Sequence, residues 1–290
     1  MKSVKTYQQV NSQKEIGFGI SKMQDIYIKR NGEVDEPHRH DYYTVLLIEK
    51  GKGSHKIDFN TYELANHQIY FVAPGQVHQV IEEEKTEGFS MVFSNQFLLE
   101  NSISLTFIDN LNLFQNYGQS PPLTPDENHF KKIAKFAEEL FKLYTSDAPM
   151  KFLSIGAFLK LFLIECNTVC ALNPIEFEME SASNKIIRSF KKTVDDHYKK
   201  EHAIAFYADE LSITPDHLNR TVKNKMGKTA KDYVQARIIT EAKRLLYFTD
   251  LTNKEIAYEL GFEEPANFSA FFKKNTQIAP SSFKKQQVLA

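Results

Sequence analysis

A helix-turn-helix pattern that occurs twice in the last third of the chain constrains the fold more than any other feature of the sequence. In each copy a short amphipathic segment is followed by a brief turn and then by a second helical segment. Pro215 and Pro265 stand where the two second helices begin, a position at which the missing N–H of proline costs nothing. A tandem repeat of this kind indicates an all-α domain. The predicted helices and turns are 204–211, 212–214 and 215–226 in the first copy, and 253–260, 261–264 and 265–276 in the second.

A long helix predicted from about Thr229 to Tyr247 joins the two copies. Its apolar side chains, among them Ile238, Ala242 and Leu245, form one stripe. About nineteen residues at a rise of ~1.5 Å give a length of roughly 28 Å, and successive major-groove faces of B-DNA are about 34 Å apart. The helix can therefore hold the second helix of each copy in successive grooves on one side of a duplex.

The turn of the second copy begins with Gly261-Phe262. Glycine adopts the left-handed backbone conformation that ends a helix without steric cost, so we expect Gly261 to cap the preceding helix. Phe262 then inserts beneath the second helix of the copy. We therefore expect Gly261→Val to misplace that helix and to abolish DNA binding.

The formal charge is divided unevenly along the chain. The net charge at pH 7 is -1, but from Ser183 onward there are 19 Lys and Arg residues against 13 Asp and Glu residues. The basic C-terminal part is thus the part expected to meet a polyanion such as double-stranded DNA. The N-terminus lacks the apolar run of a signal peptide, and the most apolar segment is too short to span a bilayer. We therefore expect a cytoplasmic protein with no membrane partner.

The N-terminal part has the pattern of a β-sandwich or small barrel. Short alternating segments rich in β-branched and aromatic residues are separated by Gly, Pro and Asn, which is typical of strands and turns. The predicted strands are 27–30, 43–50, 54–59, 68–73, 79–81 and 89–93. The predicted fold is α+β and multidomain, with a jelly-roll barrel at 1–120, a helical pair at 121–172, a linker at 173–183 and the DNA-binding domain at 184–290.

Two stretches of the predicted barrel, Pro37-His38-Arg39-His40-Asp41 and Pro74-Gly75-Gln76-Val77-His78, resemble the cupin jelly roll. In metal-binding cupins the first stretch supplies two His and then a Glu, and the second supplies another His. Thr44 occupies the place of that Glu, so the ligand set is incomplete and we predict no bound metal and no cofactor. Three histidines that hold zinc or iron are the alternative. The predicted effector-binding residues are His38, His40, Tyr42, Tyr43, His55, Tyr70 and His78.

Between about Pro125 and Cys170 the hydrophobic period changes from 2 to 3.6, which predicts two antiparallel helices with a break at 145–149. The second helix, at 152–166, is apolar nearly all round, which is more than packing on one neighbour requires. It is either wedged between the barrel and its partner helix or forms the seam of a homodimer. We favour the homodimer.

A series of short motifs lies along the C-terminal part. They are Leu218-Asn219-Arg220-Thr221-Val222-Lys223, Ala242-Lys243-Arg244-Leu245-Leu246, Glu255-Ile256-Ala257, Gly261-Phe262 and Phe271-Phe272-Lys273-Lys274. With these motifs the chain resembles the AraC/XylS transcription regulators. The resemblance implies that an effector acts on the barrel and changes promoter occupancy or recruitment of RNA polymerase, with activation favoured. The chain departs from many relatives at Gln277, where they have Gly, and at Ala270, where a larger polar residue is common.

The predicted DNA contacts follow from helix geometry. The second helix of each copy is here called a recognition helix. Leu218 and Phe268 mark the core-facing sides of the two recognition helices, so residues on the opposite sides point outward. Arg220 can donate two hydrogen bonds to guanine and Asn219 can pair with adenine, whereas Lys223 suits a phosphate. The predicted DNA-binding residues are Asp216, Asn219, Arg220, Lys223, Ala266, Asn267, Ala270, Lys273 and Lys274.

These patterns predict a sequence-specific DNA-binding regulator and not an enzyme. A metal-dependent cupin enzyme that uses His38, His40 and His78 is the alternative, but it leaves the repeated helix-turn-helix without a role. A protein–protein adaptor that has lost DNA binding is a third hypothesis. The basic C-terminal part and Arg220 argue against that adaptor.

Overall fold

The computed structural model describes residues 5–7, 10–11, 14–15, 17–111, 113–114, 121–170 and 182–286. They divide between two compact units, one within residues 4–176 and one within residues 177–290. The predicted linker at 173–183 lies outside the described residues except for its last two positions, which open a helix.

The N-terminal unit is built on two β-sheets and a two-stranded ribbon. The order of strands is β1-β5-β10-β7-β8 in one sheet and β4-β11-β6-β9 in the other, and β2 pairs with β3. Neighbouring strands are antiparallel except for β1 and β5. The strands are β1 Lys5–Tyr7, β2 Val10–Asn11, β3 Lys14–Glu15, β4 Phe18–Lys22, β5 His38–His40, β6 Tyr43–Lys50, β7 Gly53–Ile57, β8 Asn60–Leu64, β9 Gln68–Val72, β10 Val77–Glu82 and β11 Glu87–Phe93.

The four-stranded sheet is buried on both faces, which explains the nearly continuous apolar run of β6. Leu46 and Ile48 belong to a cluster that includes Ile57 from the five-stranded sheet, so this face meets the space between the sheets. Val45 and Leu47, which alternate with them, belong to a larger cluster formed with helices. A strand whose alternate residues are both buried loses the apolar–polar alternation of a half-exposed strand.

Helices cover the outer face of the four-stranded sheet. In α5, Ile155, Leu159 and Phe162 are fully buried in the shared cluster, whereas Leu153 and Leu161 are 52% and 48% exposed. One face of this helix thus packs in the core and an apolar face remains exposed. No helix of the described residues is long and apolar enough to cross a membrane. The helices of this unit are α1 Met23–Lys29, α2 Asn95–Glu100, α3 Leu105–Asn110, α4 Glu127–Thr145 and α5 Lys151–Thr168.

The strand predicted at 27–30 is wrong, because this segment belongs to helix α1. Four residues are too few to separate a period of 2 from a period of 3.6, and Met23 fixes the helix by burying its side chain between the sheets. Strands β1 to β5 and β8 and helices α2, α3 and α12 had no prediction. In β4 the buried Phe18 and Ile20 alternate with Gly19 and Ser21, but two apolar residues are too few to mark a strand.

The C-terminal unit is all-helical and is organised on α9. This nineteen-residue helix contacts α6, α8, α10, α11 and α12. It begins with a capping box, in which Thr229 and Asp232 each accept a backbone N–H of the other. Phe190 of α6 packs on Tyr233 of α9, with ring centroids 5.3 Å apart. The helices are α6 Ala182–His197, α7 Ile204–Glu210, α8 Pro215–Met226, α9 Ala230–Phe248, α10 Asn253–Glu259, α11 Pro265–Thr276 and α12 Pro280–Gln286.

A buried group of charged residues ties α9 to the end of α6. Arg244 is 1% exposed and its Nη1 lies 3.4 Å from Oε2 of Glu241, which also accepts from Arg237 at 3.5 Å. Arg237 donates to Asp195 at 2.9 Å and lies over the ring of Tyr198 at 3.9 Å. Burial and the nearby Glu241 raise the pKa of Tyr198 to about 12. The Glu241 carboxylate therefore compensates two guanidinium groups that are removed from water.

We predict that Glu241→Ala lowers the free energy of unfolding by about 3–5 kcal/mol, because it removes the carboxylate that two largely buried guanidinium groups share. Urea unfolding followed by circular dichroism measures the change. Glu259→Ala is the matched control: its ion pair with Lys199 is exposed and should contribute about 0–1 kcal/mol. Equal losses in the two variants would contradict the assigned role of Glu241.

Candidate DNA-binding surface and effector site

The first recognition helix, α8, presents a polar outer face. Leu218 and Val222 are fully buried, as the sequence predicts, and Asp216, Arg220 and Lys223 are exposed. This division follows from helical spacing, because positions three or four apart share a face. The outer face of α8 therefore presents charged side chains to solvent.

Local hydrogen bonds fix the start of α8 and the side chains on its surface. The Thr214 hydroxyl accepts the N–H of His217 and caps the helix. Nη2 of Arg220 lies 3.3 Å from Nδ1 of His217, which steers the guanidinium along the outer face. Asn219 is only partly exposed, and its Oδ1 accepts the N–H of Ala230 at 3.2 Å. This bond orients the Asn219 amide towards the start of α9 and joins α8 to α9.

The second recognition helix, α11, has the same arrangement with a smaller polar surface. Phe268 and Phe272 are fully buried, and Phe262 of the preceding turn packs on Phe268 with ring centroids 5.6 Å apart. The exposed outer face offers methyl groups and an amide, followed by two ammonium groups in the last turn. The exposed predicted contacts are Ala266, Asn267, Ala270, Lys273 and Lys274.

Gln277 takes the left-handed conformation that glycine usually supplies at the end of a helix. Its φ is 66°, and its N–H donates to the carbonyl of Lys273 at 2.8 Å. Nε2 of Gln277 also donates to the carbonyl of Lys274 at 3.2 Å. The side chain therefore compensates part of the backbone strain, and α11 keeps its C-terminal cap without glycine.

The turn before α11 requires glycine at position 261. Gly261 has φ +75°, and a Cβ built on it would lie 2.2 Å from the carbonyl oxygen of Lys199. His202 contacts the residues on both sides of Gly261. Its Nε2 donates to the carbonyl of Leu260 at 2.9 Å, and its ring packs on Phe262 with ring centroids 4.7 Å apart. Burial lowers the pKa of His202. Sequence reasoning indicated Gly261 but not His202. A local pattern cannot connect these two residues, because they are far apart in the chain.

In the N-terminal unit, strand register brings four histidines to one face of the five-stranded sheet. His38 and His78 are directly opposite each other on β5 and β10. His40 shares the face of His38, two residues along the strand. His55 on β7 lies opposite Val80, two residues from His78. His38, His55 and His78 are buried and His40 is partly buried.

The histidines form two hydrogen-bonded pairs. Nε2 of His38 lies 3.1 Å from Nε2 of His40, and Nε2 of His55 lies 3.0 Å from Nδ1 of His78. Burial, followed by the neighbouring His38, lowers the pKa of His40 and of His55 to about 3. Burial also lowers the pKa of His78 well below its usual value, with the other histidines adding to the effect. The imidazoles of His40, His55 and His78 are therefore neutral at pH 7.

The predicted effector-binding tyrosines occupy different environments. Tyr42 stacks on His40 with ring centroids 4.4 Å apart. Tyr70 packs edge-on against His55, and its hydroxyl lies 2.7 Å from the carbonyl oxygen of Glu63 and 2.8 Å from Oε1 of Gln68. Burial raises the pKa of Tyr70. Tyr43 packs with Phe93 in the cluster on the helical side of the four-stranded sheet. The structure thus brings Tyr42 and Tyr70 to the histidines and places Tyr43 elsewhere.

Two clefts at the surface of the N-terminal unit, of about 720 and 480 Å³, are lined by other residues. The smaller lies against α4 and includes Glu49, His67 and Phe130. None of the predicted effector-binding residues lines either cleft.

Comparison with known proteins identifies relatives for both units. Residues 26–159 match the family model of the AraC-like ligand binding domain, and residues 207–286 match that of a helix-turn-helix domain. The transcriptional activator RhaS of Pectobacterium atrosepticum is 23% identical over 253 residues, which cover 86% of this chain and 87% of that protein. The uncharacterized transcriptional regulator YfiF of Bacillus subtilis is 24% identical over 254 residues, which cover 85% of this chain and 78% of that protein.

Among solved structures, ToxT from Vibrio cholerae is 15% identical and the match covers 92% of this chain and 97% of that chain, with a TM-score of 0.42. The DNA-binding domain of AdpA, solved in complex with a target DNA, is 16% identical. Its match covers 35% of this chain and 90% of that chain, with a TM-score of 0.32.

We predict that Gly261→Ala sharply lowers affinity for duplex DNA, because the added Cβ overlaps the carbonyl oxygen of Lys199 and displaces α11. Gly227→Ala is the control: Gly227 also has positive φ, +70°, but its added Cβ meets nothing within 4 Å. The control should show only the cost of the backbone conformation, about 1 kcal/mol of stability. Gel-shift titration and thermal melting compare the two variants, and equal DNA affinities would show that the turn does not position α11.

Proposed function

The chain belongs to the AraC family of transcription regulators, and we propose that it binds promoter DNA through α8 and α11 and activates transcription when an effector occupies its β-sandwich. The observation that carries the proposal is the packing of both recognition helices against one stiff helix, α9, with their outer faces exposed. The basic composition from Ser183 onward supports a polyanionic partner.

The two recognition helices carry different chemistry. The exposed guanidinium of Arg220 can donate two hydrogen bonds to O6 and N7 of guanine, a contact that gives about 1–3 kcal/mol of discrimination. Lys273 and Lys274 lie in the last turn of α11, and their ammonium groups suit phosphates. Ala266 and Ala270 offer methyl groups to thymine. We therefore assign most direct base reading to α8, with α11 relying more on backbone contacts and DNA shape.

We predict different effects for Arg220→Ala and Lys274→Ala. Arg220→Ala should weaken binding to the operator about 5- to 150-fold and binding to unrelated DNA much less, because a base contact is lost. Lys274→Ala should weaken both alike and reduce the slope of log affinity against log salt by about 1, because a phosphate contact is lost. Fluorescence anisotropy over a salt series measures both effects on an operator found by genome-wide mapping of bound sites. A uniform loss in Arg220→Ala would remove that residue from base reading.

We further infer that the protein is a homodimer joined through the exposed apolar face of α5, formed by Leu153, Ala157, Leu161 and Ile164. These residues lie at helical spacing along one stripe, and three of them are large apolar side chains at 38–52% exposure. Contiguous exposed apolar surface of this kind is typical of a protein–protein interface. A dimer would also double the number of recognition helices that a promoter meets.

We predict that Leu161→Glu yields a monomer, because it introduces a charge that would be desolvated in the dimer interface. Sedimentation equilibrium of the full chain measures the mass. Val34→Glu, at a side chain that is 53% exposed outside α5, is the control and should leave the dimer intact. A dimer that persists in Leu161→Glu would place the interface elsewhere.

The two other hypotheses make different predictions. A cupin enzyme would turn over a substrate at the histidines, but the relatives named above are transcription regulators and the recognition helices have no part in such a reaction. An adaptor would bind promoter DNA weakly or without salt dependence. RNA polymerase is the expected protein partner of an activator, and its recruitment by the promoter-bound protein is part of the proposal.

A further inference from the structure

We propose that His38, His40 and His78 bind one divalent transition-metal ion in the space between the two sheets. One ring nitrogen from each of these side chains lies within 4.8 Å of the other two. The bound ion would act as a signal to the β-sandwich or would anchor an effector there, a role that rests on the proposed function. The binding itself stands apart from that function and can be measured without DNA.

The spacing of the nitrogens suits a tetrahedral ion. Two nitrogens at ~2.0–2.1 Å from one zinc ion, at a tetrahedral angle, are about 3.3 Å apart. Nε2 of His38 and Nε2 of His40 are 3.1 Å apart, close to this value. The third nitrogen lies within 4.8 Å of the other two, so a side-chain rotation that moves its ring by about 1.5 Å brings all three nitrogens to coordinating distance.

The environment of His38 directs a lone pair towards the other rings. Its Nδ1 lies 2.7 Å from the carbonyl oxygen of Glu36, and a carbonyl only accepts, so Nδ1 carries the proton. The carboxylate of Asp35 lies 3.2 Å from the same nitrogen and is held by Arg30. With the proton on Nδ1, a neutral His38 has its lone pair on Nε2. A carboxylate behind a histidine in this way orients it as a metal ligand.

His78 has a corresponding partner in His55. Nδ1 of His78 can donate to Nε2 of His55 at 3.0 Å, which leaves the lone pair of His78 on Nε2. That Nε2 is buried and makes no hydrogen bond to the described residues. A buried imidazole nitrogen without a partner is costly, and coordination to a metal ion removes that cost. His55 therefore acts as a positioning residue and not as a ligand.

His40 can serve as the third ligand after a change of tautomer. Because Nε2 of His38 carries the lone pair, the short contact between the rings has His40 donating from its own Nε2. On coordination this proton moves from Nε2 to Nδ1 of the same ring, so the imidazole stays neutral and its Nε2 lone pair faces the ion. The stacked ring of Tyr42 holds the orientation of His40.

The donor set identifies the class of metal. Imidazole nitrogens suit zinc, copper, nickel and iron, whereas magnesium and calcium prefer oxygen donors. Three protein ligands also leave one tetrahedral position open, as in sites that bind an exchangeable molecule. The missing carboxylate at Thr44 had argued against a metal from the sequence, but three convergent nitrogens do not require it.

The test is a zinc titration of the full chain after treatment with EDTA, followed by isothermal calorimetry, with Co²⁺ absorption as a second probe. We expect one equivalent of zinc per chain and the intense visible absorption of tetrahedral Co²⁺. His38→Gln and His78→Gln should abolish this binding. His55→Gln should weaken it about 10- to 100-fold, as expected for a partner of a ligand. His129→Gln removes an exposed histidine beside Asp126 and should leave it unchanged.

Imidazole ¹⁵N spectra of the unmodified chain keep the proposal testable if a glutamine variant does not fold. Zinc should shift the nitrogens of three of the nine histidines, and variants that fold assign them to His38, His40 and His78. Absence of stoichiometric binding, or equal binding in His38→Gln and the unmodified chain, would overturn the proposal. Gel shifts with and without EDTA, run in parallel, report promoter binding separately.

Discussion

The packing of α9 against both recognition helices is the constraint on which DNA recognition depends. This helix buries a stripe that includes Val234, Ile238 and Ala242, and it also buries Arg244 beside Glu241. A buried ion pair contributes little net stability compared with an apolar pair, but its geometry is demanding, and removing one partner is costly. The pair therefore limits how α9 can be placed among its neighbours. Because α8 and α11 pack on α9, the position of α9 also sets theirs.

The N-terminal unit buries a cluster of histidines. Its four-stranded sheet is covered on both faces by apolar side chains, and His38, His55 and His78 are buried on the five-stranded sheet. Their rings are held by one another, by the carbonyl of Glu36 and by the carboxylate of Asp35.

Sequence reasoning worked where the signal is local. The two helix-turn-helix units, the start of α9 at Thr229 and the left-handed Gly261 follow from helical spacing, capping residues and the freedom of glycine, all of which act over a few residues. It failed at α1, where the segment was too short to show its period. The residues that α8 and α11 expose were also predicted, but the bond from Ala230 to Asn219 was not, because it joins two helices.

What the sequence determined by itself was therefore the kind of protein: a family of regulators, two units, and the residues that face outward from each recognition helix. The tertiary structure alone decided which distant residues meet. Strand register placed His78 opposite His38 and near His55, and it separated Tyr43 from them. The physical reason is that periodicity fixes only the face on which a side chain lies. Which strands pair, and in what register, depends on the packing of the whole core.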